Sequence, residues 1–100
     1  MDNSFKDKTP GQLADELLKM TALYGQLSDE LSDIYTRKNI DWEMLRDTVK
    51  SDRQADQKWF RTELGAKEQA IEMRMKKIQR HMSTIKTYLQ VKENEARSLY

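Results

Sequence analysis

Few side chains in this sequence could do chemistry, and their spacing argues against it. His81 is the only histidine, and no Asp or Glu lies within eight residues of it on either side. It has no neighbouring carboxylate to orient it as a base and no second imidazole to share a metal, so a polar helix position accounts for it. There are no cysteines, which removes disulfides, thiolate metal sites and a thiol nucleophile. The glycines stand apart at 11, 25 and 65. The phosphate-cradling patterns G-x-x-x-x-G-K and G-x-G-x-x-G are missing, as is the metal-binding H-E-x-x-H. The sequence offers no catalytic, cofactor-binding or metal-binding residue, and a non-enzymatic protein is expected.

Two groups of residues could instead recognise a macromolecule. From Met73 to Lys92 the chain carries basic residues, His81 and no acid; Arg74, Lys77, Arg80, Lys86 and Lys92 could meet phosphates while Tyr88 stacks on a base. The competing account is a solvated face partly paired with acids elsewhere in the chain. The second group is aromatic: Trp42, Trp59 and Phe60, with Tyr35 brought near them by the fold expected below. A single helix–helix seam cannot cover three such rings at one end, and exposed aromatics mark protein interfaces. The methionines Met20, Met44, Met73, Met75 and Met82 could line an adaptable groove or simply fill a core.

These residues must be positioned by helices. Thr9-Pro10-Gly11-Gln12 reads as a helix start, with Thr9 as N-cap, Pro10 in the first turn and Gln12 closing a capping box. Leu13, Leu17, Met20, Tyr24, Leu27, Leu31 and Ile34 then follow at steps of four and three, a heptad seam. Tyr35, Lys38, Trp42, Leu45 and Val49 continue that face, which predicts a first helix over about 10–50. A helix end at Arg37-Lys38-Asn39, with a short helix after Asp41, is the alternative. Ser51 or Asp52 caps a second start, with Gln54 three residues after Ser51. From Arg53 to Leu99 there is no proline and one glycine, and Phe60, Leu64, Ile71, Met75, Ile78, Met82, Ile85 and Leu89 keep to one face. A second helix over about 53–99 is expected.

Two rods of matched length with a turn near 51 predict an all-α fold, a long antiparallel αα-hairpin spanning 9–100 behind a mobile tail, residues 1–8. Residue i should then face roughly 103 minus i. Residues 1–50 hold seven Lys/Arg against ten Asp/Glu, and residues 51–100 hold eleven against seven. On that register the basic run meets Asp15, Glu16, Asp29 and Glu30, so the charge asymmetry becomes complementarity across the hairpin. With 37% hydrophobic and 35% charged residues the chain is short of core material. One seam leaves Leu18 beside Ala14, Ala22 and Gly25, and also Met73, Tyr88 and Val91, uncovered. A homodimer closing a four-helix bundle is expected. No apolar run reaches the ~18 residues of a membrane span and the first residues are charged, which points to a cytoplasmic protein without a membrane partner.

At 52–100 the stretches D-R-Q-A-D-Q-K-W, G-A-K-E-Q-A-I-E and S-T-I-K-T-Y-L-Q-V-K-E-N-E-A-R-S-L-Y resemble small helical proteins of tailed bacteriophages. Ala55, Trp59, Gly65, Ile71, Ser83, Ile85, Lys86, Leu89, Glu95, Ala96, Arg97 and Tyr100 carry the likeness. It implies an early, non-virion phage protein in the host cytoplasm that binds a host or phage protein, as an inhibitor of a host enzyme or defence. The alternative it implies is an accessory of phage DNA replication or recombination that binds nucleic acid through the basic run. It transfers no catalytic residue.

Overall fold

A computed structural model of the chain describes residues 7–98. Most of the expected tail, together with Leu99 and Tyr100, lies outside the described residues. The described fold is all-α: α1 is Pro10–Arg46, α2 is Asp52–Arg61 and α3 is Glu63–Ser98. The contacts divide the chain into two compact units, one made of residues 1–25 and 76–100, the other of residues 26–75.

The first unit pairs the start of α1 with the later part of α3. Its α1 begins as the sequence predicts: the Gln12 N–H donates to Thr9 Oγ1 at 3.1 Å and the Thr9 N–H to Gln12 Oε1 at 2.9 Å, a closed capping box. Leu13 and Ile85 are fully buried against each other, with Leu17, Met20, Tyr88 and Leu89 packed around them. Tyr24 meets Gln79, whose amide donates to the hydroxyl at 2.8 Å, the pairing that the 103 minus i register requires. Glu16 meets His81 instead of residue 87. Within this unit the two helices therefore run antiparallel.

The second unit is a helical hairpin. α1 runs unbroken through Asn39 and Asp41 and ends at Arg46, a turn earlier than expected. Its end tightens: the N–H groups of Thr48 and Val49 bond back three residues to Leu45 and Arg46, and the Thr48 hydroxyl takes the Leu45 carbonyl at 2.7 Å. Arg46 then bridges the corner, donating to Asp52 Oδ1 at 2.6 Å and to the Val49 carbonyl at 3.0 Å. Ser51 is the N-cap of α2 through the Gln54 N–H.

The expected single helix over 53–99 is in fact α2 and α3, separated at Thr62. Thr62 is extended, with φ −74° and ψ 160°. Its N–H and its hydroxyl both reach the Trp59 carbonyl, at 2.9 and 2.6 Å, while that same hydroxyl accepts from the Gly65 N–H at 3.0 Å. One threonine thus closes α2 and caps α3. The junction also moves the register. Trp42 meets Asp56 before it, and Lys38 meets Glu68 after it, so α1 retreats four residues while the other side advances twelve. Tyr35 accordingly bonds Glu72, where the simple register would place residue 68.

Candidate protein-interaction site at the aromatic end

All four aromatic candidates belong to the second unit, and the fold uses them in different ways. Trp59 is 1% exposed, and Ala55, one turn before it on α2, is fully buried. Its ring is core and is not offered to a partner. This corrects Trp59 as an interface candidate, because its ring is enclosed, while Trp42 and Phe60 are only partly covered. Phe60 is half-buried beside it, and Trp42 is half-buried with its indole N–H donating to Asp56 Oδ1 at 2.7 Å. Tyr35 is 41% exposed, and its hydroxyl donates to Glu72 Oε1 at 2.6 Å. That bond holds the phenol proton, and with burial and the negative field of Glu72 and Glu68 pushes the Tyr35 pKa up to about 12.

Inside this group lies a charge pair that the sequence reading missed. Glu68 is only 2% exposed. The Lys38 ammonium stands 3.1 Å from its Oε1 and hydrogen-bonds its Oε2 at 3.4 Å, so Oε1 has a charge partner without a hydrogen bond. The same ammonium sits 5.5 Å from the Phe60 ring centre, 5.6 Å from Trp59 and 6.0 Å from Tyr35, near enough for each ring face to attract it. Among the described residues the buried Trp59 indole N–H has no hydrogen-bond partner. A signal was present: the seam of the second helix steps from Leu64 to Ile71 and leaves an acid, Glu68, at a buried turn, while Lys38 occupies the matching place on α1. This arrangement holds a register.

The basic candidates are arranged less favourably for a phosphate backbone. Arg74, Lys77, Arg80 and Lys86 are exposed and Lys92 half-buried, on α3. At 100° per residue their bearings spread over most of the helix circumference, so they form no single track. Tyr88 is packed against the Leu13–Ile85 core and is not free to stack on a base. Among the described residues none of the run's lysines or arginines pairs with Asp15, Glu16, Asp29 or Glu30, contrary to the expected complementarity across the hairpin. Glu16 is taken instead by Lys8 and by His81, whose Nε2 lies 2.8 Å from Oε1. Those two partners lower its pKa against the opposing effect of burial.

Large apolar side chains remain in water: Leu18 at 69%, Ile40 at 67%, Met44 at 66%, Met73 at 63% and Val91 at 47% exposure. Ile40 and Met44 are one turn apart on the outer face of α1 in the second unit. Ile40 did not stand out in the sequence because it lies off the helix seam, and Met44 was named only among the methionines that could line a groove or fill a core. No group of acids and histidine among the described residues could hold a metal ion, and no described helix is long and apolar enough to cross a membrane. No family model, curated protein or solved structure matches this chain.

Proposed function

We propose that this chain is a non-enzymatic protein–protein interaction module, an accessory that acts by occupying a protein surface. The observation that supports it best is the pair Ile40 and Met44, two large apolar side chains left two-thirds exposed one turn apart on a long, well-capped helix. An exposed i, i+4 apolar pair is the pattern with which a helix docks on another protein. The aromatic end supports it differently from its first reading: Trp59, Lys38 and Glu68 stiffen the segment that displays the pair. The resemblance of 52–100 to small helical phage proteins would make it a phage accessory acting on a host or phage protein, as an inhibitor of a host enzyme or defence.

A photo-crosslinking amino acid at position 40, irradiated in the producing cells, should give a discrete adduct of higher mass. The same residue at exposed, polar Gln57 should not. Equal labelling at both positions, or none at 40 and 44, would remove the proposal. A second reading, nucleic-acid binding through Arg74, Lys77, Arg80 and Lys86, is supported by their exposure. It requires a gel shift at 50 mM salt that fades steeply as salt rises.

A further inference from the structure

The outer faces of α1 and α3 carry the same spacing with opposite charge. On α1, Asp29, Asp33, Ile40 and Met44 follow at steps of four, seven and four; on α3, Lys76, Arg80, Thr87 and Val91 do the same. All eight are exposed. These steps keep each set on one stripe of its helix, and each stripe is about 22 Å long. Set side by side in parallel, with α3 shifted by 47 residues, they place Asp29 on Lys76, Asp33 on Arg80, Ile40 on Thr87 and Met44 on Val91. Thr87 turns its hydroxyl back to the Ser83 carbonyl at 3.0 Å, which leaves its methyl group as the outward contact. Among the described residues Asp29, Asp33, Lys76 and Arg80 form no ion pair.

We infer that the covering partner is a second copy of this chain, with the acidic-apolar stripe of α1 on one copy laid along the basic-apolar stripe of α3 on the other. This rests on the interaction-module proposal and names its partner. Each copy owns both stripes, and we take the contact to be made twice about a twofold axis, the default symmetry of a homodimer. The apolar pairs would supply the burial. The charged pairs set direction and register, because the antiparallel setting lays Ile40 and Met44 on Arg80 and Lys76, and a slip of one turn lays either Met44 on Glu95 or Asp29 on Glu72.

The test uses the full chain and two charge-reversed variants, D29K/D33K and K76E/R80E, with circular dichroism to show that each is folded. By sedimentation equilibrium at tens of micromolar, the unchanged chain should weigh twice its 11.9 kDa and each variant once. An equimolar mixture of the two variants should return to twice that mass, since both contacts are then again acid on base. Raising salt from 50 to 500 mM should weaken the unchanged dimer at least several-fold.

A monomeric unchanged chain, variants that remain dimeric, or a mixture that stays monomeric would each overturn the inference. So would a monomer whose binding to a 20-base oligonucleotide is lost in K76E/R80E, which would assign the α3 stripe to nucleic acid. If the chain is monomeric yet position 40 still crosslinks to another protein, this inference fails and the interaction-module proposal stands.

Discussion

Glu68 and Lys38 show how much one residue depends on its opposite number. A carboxylate at 2% exposure survives in this core because an ammonium stands 3.1 Å away and three rings face that ammonium. Replacing Lys38 by Met should therefore cost about 3–5 kcal/mol, the range for breaking a buried pair, because Glu68 is left buried without its partner. Adding Glu68→Leu should recover most of that loss, so a double-mutant cycle by urea unfolding should be strongly non-additive. Additive losses would show that Lys38 acts by packing alone. Glu16 is one residue through which pH acts on the first unit. Its folded pKa lies below the ordinary 4.5, so the stability it contributes is present above that value and is lost as pH falls through the lower, folded one. Acid unfolding of Glu16→Gln should accordingly be flatter below pH 4.5 than that of the unchanged chain, and parallel curves would contradict the assignment.

At the scale of elements, what could be read from the sequence was whatever is local. The Thr9 and Ser51 caps, the continuity of α1 through Asn39 and the alternation of Leu13, Leu27 and Ile34 with the polar face all follow from residues within a turn or two of one another. The α2–α3 junction did not, because Thr62 has Gly65 where a capping box would have Glu or Gln, and T-E-L-G reads as helix interior. What decides it is tertiary. A Cβ added at Gly65 would overlap the Trp59 carbonyl and stand 2.9 Å from Phe60 Cα, so α3 can start that close to α2 only over a residue without a side chain. The glycine at 65 serves this approach, not an unusual backbone angle, since no described residue has positive φ. Gly65→Ala should destabilise at or above the upper end of the roughly 1–3 kcal/mol typical of overpacking, because the obstacle is backbone and cannot rotate away. Gly25→Ala, where nothing lies within 4 Å of the new methyl group, is the control and should be neutral or slightly stabilising in the same urea titration.

For the whole molecule, the charge asymmetry between the halves of the sequence was legible but its meaning was not. Split by unit, residues 1–25 with 76–100 hold nine Lys/Arg and six Asp/Glu, and residues 26–75 hold nine and eleven. The imbalance belongs to whole units and is not consumed in ion pairs between facing helices. On the proposed association between copies, this charge would set approach and register. The register rule failed in the second unit for a related reason: it treated the return path as one helix, and the residues absorbed around Thr62 could not be counted from periodicity alone.

Both tryptophans, Trp42 and Trp59, fall within residues 26–75, and residues 1–25 with 76–100 contain none. Indole emission from this protein is thus a report from one unit only, and it comes from two unlike sources. Trp59 is sealed from water with its N–H unbonded, while Trp42 is half in solvent with its N–H held by Asp56. A quencher such as iodide reaches the second and not the first, so the residual emission follows the core of that unit while far-ultraviolet dichroism follows every helix. Melting curves taken by the two signals ask the molecule whether its units unfold as one or in turn, with no label added.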